Sequence, residues 1–407
     1  MSTIELKRSV TTPVKIINYL YFAIGFLLIE RFLFKGDGDT AYFVSLLIVS
    51  VILLIAYKWP AKPYIIFFGF LVLVFGKIYY GFSMDPIVGS DEIRYHAQML
   101  AQINDFNGYL DYVKDKLTLN YSIYPSFGMF FMPFYYLFGS DNRMIIVIFN
   151  TVMLVSLAQF AFKANRSIIE EYSEINSKDK NLYTALIVFG VLASPSFMYW
   201  SSTFAKDITN ICISFAALYL LIKKKYFWFI VVMFVATIFR PYTIVFTLGY
   251  YFIYKRSMKM MVLSVIGAIA LVFYKTGITG LINTVFSAAY LVVAPFPFNY
   301  DNWVNYRLSS LESLLSIILT VVAILLFLSR KETRKFLMLC ALCLYLYACV
   351  VTAVGHVALG NAGMNYGLGM VGDNMTRKKL PIIVLLYMVF SYCLTYMEGN
   401  RKAKSKA

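Results

Sequence analysis

Charge is what this sequence has least of. Only 14% of its 407 residues are Asp, Glu, Lys or Arg, while 60% are apolar. Soluble domains average about 25% charged residues, so a water-soluble globule is excluded. Histidine is nearly absent, with only His96 and His356. No zinc-type Cys/His spacing, phosphate loop, dinucleotide-binding fingerprint or serine nucleophile elbow occurs. The first long outer stretch also has no Asp-x-Asp pair, so neither a metal ion nor a cofactor is expected. The five cysteines, Cys212, Cys340, Cys343, Cys349 and Cys393, all fall inside apolar runs. Cys340 and Cys343 have C-x-x-C spacing, but thiols in apolar helices are inert packing groups. No cleavable leader is expected, because the first apolar run follows a polar start and has no small-residue cleavage site. The ten-residue alternating segments of a membrane β-barrel are also missing.

What is present is apolar sequence in long runs, at 17–34, 41–57, 64–82, 144–162, 182–200, 208–222, 260–274, 311–328, 336–354 and 380–396. Runs of about 17–25 such residues cross a bilayer as helices. A further stretch, 226–254, is interrupted by Arg240-Pro241 and reads as two shorter helices meeting at that break. The expected fold is all-α: one integral membrane domain over 1–407 with about 11–12 transmembrane segments.

The net charge of +16 does not point to nucleic acid, because it is confined to one side. If the spans alternate, one face receives the N-terminus, 58–62, 163–180, 223–225, 255–259, 330–335 and a basic tail over 397–407. Those segments hold 23 of the 37 Lys+Arg but only 7 of the 21 Asp+Glu. The positive-inside rule makes that face cytoplasmic, with both termini on it. The expected partners are membrane lipids.

On the opposite side lie the long polar stretches 83–143, 276–310 and 355–379. The first opens with "GSDEIRYHAQML". On a helix, Asp91 and Tyr95 share one face, as do Glu92 and His96, and Arg94 stands between them. Its later apolar piece, 127–138, is too short to span and reads as re-entrant or interfacial. The alternative is a water-exposed helix with an acid pair at its start. "SPSFMYWSSTFAKDITN" places Lys206-Asp207 at a span entrance, where Lys206 could also snorkel and Asp207 could simply favour a helix N-terminus. Arg240 is separated by fourteen residues from Lys225 and by fourteen from Lys255, which puts it deep in the membrane or at its far boundary. An arginine at depth costs roughly 2.5–3.5 kcal/mol on insertion scales, and a broken helix is tolerated there where it lines a cavity. A guanidinium in such a cavity suits a phosphate; an internal salt bridge is the alternative. "APFPFNYDNWVNYRLSSLESLL" carries Glu312 into the next span. "GHVALGNAGMNYGLGMVGDNMTRKKL" is glycine-rich and ends in Arg377-Lys378-Lys379.

This order of features resembles the GT-C superfamily of membrane glycosyltransferases and the related repeat-unit polymerases of bacterial O-antigen and capsule. The matching pieces are the outer-loop acids Asp91-Glu92 followed by Tyr95, and "YPSFGMFFMPFYYLFGSDNRMIIVIFN" with Arg143 and Asn150. "SPSFMYWSSTFAKD", "FRPY", "APFPF…LE" and the late Arg-Lys before the last span complete the set. The resemblance implies sugar transfer at the periplasmic face of a bacterial inner membrane, from a polyprenyl-phosphate or polyprenyl-diphosphate carrier to an acceptor. It implies Asp91, with Glu92 the alternate, as general base. Arg240, Lys206, Arg377 and Lys378 would stabilise the leaving phosphate. His96, His356, Tyr95, Arg94 and Glu312 would contact substrate. Single-sugar transferases of this superfamily often carry a soluble domain after the membrane part, and none is expected after the basic tail 397–407. The expected activity is therefore polymerisation of lipid-linked oligosaccharide repeats, with a chain-length regulator as an accessory partner. The alternatives are a single-sugar transferase and a flippase for the same lipid-linked sugars.

Overall fold

The computed structural model describes residues 85–404, apart from 88, 119–126, 139–143, 173–183, 185, 186, 189, 193, 241, 242, 306, 362, 364 and 372–374. The expected spans 17–34, 41–57 and 64–82, together with Arg143 and Pro241, lie outside the described residues. Among the described residues the elements are helical and no strand occurs. Among the described residues five helices are long and apolar enough to cross a membrane, or six if one sharply bent pair counts as a single span. The described part of the chain is all-helical, with the several long apolar helices of a multi-pass membrane protein.

Two compact units are formed, one from residues 1–159 and 197–212, the other from 160–196 and 213–407. The first contains α1 (Ser90–Gln102), α2 (Phe106–Leu117), α3 (Phe127–Phe138) and the start of α4 (Met144–Glu171). It also holds most of α5 (Pro195–Ser202) and the start of α6 (Asp207–Ile222). The Asp105 side chain caps α2 by accepting from the Gly108 amide at 2.8 Å, satisfying one of the donors that a helix start leaves open. α1 and α2 pack on α3 through aromatic groups. Tyr109 donates to the Met129 carbonyl (3.0 Å) and Tyr136 to the Gln102 carbonyl (2.9 Å), while the Tyr109 and Tyr136 rings meet edge to face. Phe131 and Phe134 of α3 continue the packing onto Phe149 of α4.

The second unit contains α7 (Tyr226–Phe239), α8 (Thr243–Tyr254), α9 (Met258–Val293), α10 (Tyr300–Asn305) and α11 (Arg307–Ser329). α12 (Arg334–Asn361), α13 (Met375–Lys378) and α14 (Leu380–Lys404) complete it. The α6 and α8 ends close through Lys224 and Arg256 in the left-handed region, with Lys225 N–H donating to Leu220 O and Ser257 N–H to Phe252 O. These are Schellman closures, and basic side chains there also complement the negative helix end. α9 packs along α12, and Ser287 and Thr352 share a hydrogen bond of 2.8 Å in their interface. Tyr172, Phe336 and Tyr392 form an aromatic cluster, with Phe336 and Tyr392 stacked at 3.9 Å.

Two boundaries differ from the sequence reading. α9 does not stop near residue 274 but runs 36 residues to Val293, interrupted only at Gly277 (φ 65°, ψ −158°). The stretch 276–310 is therefore mostly helix. Lys275-Thr276-Gly277 reads as a helix end, yet a single residue in a conformation open essentially to glycine alone re-aims the axis and the helix resumes. The expected span 182–200 is likewise divided, because Ser194 is non-helical and α5 starts at Pro195. α5 then meets α6 at 115°.

Candidate functional site

α1 carries the acids. Gly89 precedes it in extended conformation (φ −118°, ψ 172°), making Glu92 its third helical residue. The Glu92 carboxylate folds back over the helix start, so that a Cβ on Gly89 would come within 2.5 Å of Glu92 Oε2. A carboxylate here faces the open amides of the first turn and the positive end of the helix dipole. Glu92 is only 4% exposed, whereas the Asp91 side chain is 29% exposed and accepts from Arg94 Nη2 at 2.8 Å. Tyr95 and Met99 are buried on the Glu92 face. Asp91 and Glu92 thus have distinct environments: one reachable, one enclosed. His96 Nδ1 lies 3.0 Å from the Tyr135 hydroxyl, and its ring meets Phe204 edge-on at 5.5 Å.

The Phe204 contact connects α1 to the bend between α5 and α6. That bend exposes backbone groups that no helix satisfies, and Asn150 of α4 supplies partners. Its Nδ2 donates to Thr203 O (3.2 Å) and Ala205 O (2.9 Å), and its Oδ1 accepts from Thr209 Oγ1 (3.4 Å). Phe204 N–H donates to Pro86 O at 2.8 Å, five residues before Asp91. The first outer stretch and the "TFAKD" stretch, more than a hundred residues apart, therefore meet within one unit. Lys206 and Asp207 are both buried, as are Ser201, Ser202, Thr203, Thr209 and Asn210. Asp207 opens α6, where the helix dipole favours a carboxylate. Buried polar groups at a broken span are tolerated where protein partners satisfy them, as Asn150 and Pro86 do for this bend.

The second unit holds the remaining candidates. The Arg-Pro break is present: Arg240 ends α7 in extended conformation (φ −153°, ψ 114°), as a residue before proline prefers. Its carbonyl accepts from Thr243 N (3.1 Å) and Thr243 Oγ1 (2.7 Å), and its side chain is half-buried. Glu312, near the start of α11, is buried and accepts from the hydroxyls of Ser194 and Ser196 and from the Ser196 amide (3.1 Å). Arg377 and Lys378 are half-buried on the short α13. Lys379 beside them is fully buried, its Nζ donating to Ala294 O and Ser313 Oγ, each at 3.0 Å. Burial pulls the Lys379 pKa down to about 8, with the Glu312 carboxylate opposing the shift. His356 is half-buried, with its ring edge-on to Tyr366 at 4.6 Å. The glycine-rich segment beside it is held by Asn283, whose Nδ2 donates to Gly367 O and Met370 O and whose Oδ1 accepts from Gly369 N.

Asp91, Glu92, Arg94, Tyr95, His96 and Lys206 therefore belong to one unit; Arg240, Glu312, His356, Arg377 and Lys378 belong to the other. Lys379, Asn150 and Asn283 are the polar residues that the sequence did not single out as site groups. The available signal for Lys379 was its place next to Leu380, one helical turn from the inward-facing Ile382 and Ile383. Among the described residues no group of three or more His, Cys, Asp or Glu side chains is placed to hold a metal ion. All five cysteines are buried and unbridged. No protein-family model, curated protein or solved structure matches the chain.

Proposed function

We propose that this protein is a GT-C-like glycosyltransferase of about 11–12 spans. In this reading it joins polyprenyl-diphosphate-linked oligosaccharide repeats into a bacterial surface polysaccharide, O-antigen or capsule. The reaction takes place at the periplasmic face of the inner membrane, and both termini are cytoplasmic. The observation that carries this reading is the meeting of α1 with the α5–α6 bend through Pro86, His96 and Phe204. It assembles an accessible carboxylate, a buried lysine and a buried acid in one unit beside a broken apolar span.

In the proposed reaction Asp91, the reachable acid, takes the proton from an acceptor hydroxyl. The hydroxyl oxygen then forms a bond to the anomeric carbon of the donor sugar. The bond from that carbon to the carrier phosphate breaks, and the diphosphate leaves with the electron pair. Lys206, buried in the same unit, is the proposed cation for that developing charge. Glu92 holds the N-terminus of α1 and so positions Asp91, while His96 and Tyr95 line the acid helix. Arg240, Arg377 and Lys378 are the second unit's candidate phosphate ligands.

A flippase for the same lipid-linked sugars is the second reading, favoured by the burial of Glu312 and Lys379 beside apolar spans, where ionisable groups often mark a transport path. Purified protein in lipid nanodiscs, supplied with a lipid-linked oligosaccharide, separates the two. Polymerisation lengthens the glycan on its carrier. Product of unchanged length, together with transbilayer movement in vesicles, would establish the flippase instead.

A further inference from the structure

Ala323 of α11, with Cys340 and Ala341 of α12, puts small side chains where long apolar helices of the second unit face one another. α11 presents Thr320, Ala323, Ile324 and Phe327 there, and α14 presents Ile382, Leu385, Leu386 and Val389. Both sets have the i, i+3, i+4, i+7 spacing of a single helix face. The faces are parted by a cavity of about 340 Å³. Protein interiors have few voids larger than a water molecule, and this volume falls among pockets that hold a ligand, about 300–1,000 Å³. The lining offers little that is polar. Its one hydroxyl, on Thr320, already donates to the Ser316 carbonyl at 2.8 Å, and its one thiol, on Cys340, is a weak donor. The lining reaches Phe327 near the end of α11 and Leu337 and Met338 near the start of α12, beside the basic turn between them. Thr333 Oγ1 donates to Leu326 O (3.0 Å), and Arg334 donates to Phe327 O (3.0 Å) and Leu328 O (3.1 Å). The carbonyls left open at the end of α11 are thereby satisfied and the turn is fixed. The Arg334 guanidinium also lies over the Phe327 ring, 5.9 Å from its centre. Arg330, Lys331 and Lys335 are exposed around it, while Glu332 accepts from the Tyr396 hydroxyl at 3.0 Å.

We infer that this cavity holds one acyl chain of an anionic phospholipid, whose phosphate rests on Arg330, Lys331 and Lys335. The ligand that fits has a wholly apolar buried part and a negative end, because the walls are apolar and the adjoining turn is basic. Basic groups beside transmembrane helices bind anionic headgroups, and hydrocarbon restores the contacts that a void forfeits. Every lining residue is in the second unit, whereas residues 1–84 group with the first. The site lies at the opposite end of α11 from Glu312, and its occupation is independent of sugar transfer. A lipid seated there is a packing partner shared by α11, α12 and α14.

The test offers purified, delipidated full-length protein an equimolar mixture of dioleoyl phosphatidylglycerol and dioleoyl phosphatidylcholine in detergent, and reads bound lipid by native mass spectrometry. One phosphatidylglycerol should be retained in preference, and Lys331→Gln with Lys335→Gln should weaken that preference roughly tenfold or more. Ala341→Trp, which fills the cavity from α12, should remove the bound lipid without lowering the melting temperature measured in its absence. A second measurement does not depend on that variant folding. In vesicles of the same two lipids, a photoreactive benzophenone residue in place of Met338 should cross-link to phosphatidylglycerol in preference. Equal retention of the two lipids overturns the inference, as does a preference that survives the lysine changes. Lipid retained by folded Ala341→Trp protein overturns it too. Cross-links from position 338 into another segment of this chain, or into a second copy, would show that protein fills the cavity instead.

Discussion

Asp91 and Glu92 are chain neighbours that one helix turns into different tools. Asp91 points toward solvent and is steadied by Arg94; Glu92 turns back over Gly89 and is enclosed. Asp91→Asn should therefore abolish glycan chain growth and leave the melting temperature in detergent unchanged. Glu92→Gln should cost about 1 kcal/mol of stability, the usual magnitude for weakening a helix start. Full-length glycan from the Asp91→Asn protein would remove that residue from the reaction. Asn150 is a positioning residue of a different kind. Asn150→Ala leaves two buried carbonyls without their donor, a loss of about 2 kcal/mol, read as a lower melting temperature. Lys379 is buried with the Ala294 carbonyl and the Ser313 hydroxyl as its acceptors and within electrostatic reach of Glu312, so Lys379→Met should destabilise by about 1–3 kcal/mol. Adding Glu312→Gln to that variant should recover part of the loss. A strictly additive double variant would show that the two do not interact. None of these environments could be read from residue type alone. Adjacent acids are equivalent in sequence until helix phase and the inward face are known, and Asn150 gains meaning only when the bend it serves exists.

At the scale of elements, breaks were legible where backbone chemistry forces them. Pro241 offers no amide to a helix, and the chain accordingly parts between Phe239 and Thr243. The apolar segment Phe127–Phe138 is a helix with the limits its composition indicated. Continuity across Gly277 was not legible, because a polar triplet that ends most helices here only turns one. Gly277 has φ 65° and ψ −158°, and no atom stands within 4 Å of where a Cβ would sit. Gly277→Ala should thus meet backbone strain without a clash, costing about 1–3 kcal/mol. Differential scanning fluorimetry in detergent measures it, and an unchanged melting temperature would mean that α9 straightens freely. The α5–α6 bend was also hidden, since its cause is tertiary: partners on α4 and at Pro86 satisfy the opened backbone.

For the whole molecule, composition was the most informative feature, because a chain this poor in charge can bury its surface only in lipid. The one-sided charge distribution further predicts that a reporter fused after Ala407 will be active only when placed in the cytoplasm. A periplasm-dependent reporter that works there would reverse the orientation. Which polar stretches meet was not legible, because the contacts span more than a hundred residues. The sequence marked both "GSDEIRYHAQML" and "TFAKD" as unusual but could not show that Phe204 bonds to Pro86.

The buried ammonium of Lys379 has a consequence for how the chain is made. Its acceptors, the Ala294 carbonyl and the Ser313 hydroxyl, leave the ribosome dozens of residues earlier, as does the acidic side chain of Glu312. Until the last helix enters the membrane, these groups stand in the bilayer without their final neighbour. A chain cut short before residue 379 would keep the Ser194 and Ser196 donors on Glu312 but leave the Ala294 carbonyl and the Ser313 hydroxyl without the ammonium that joins them.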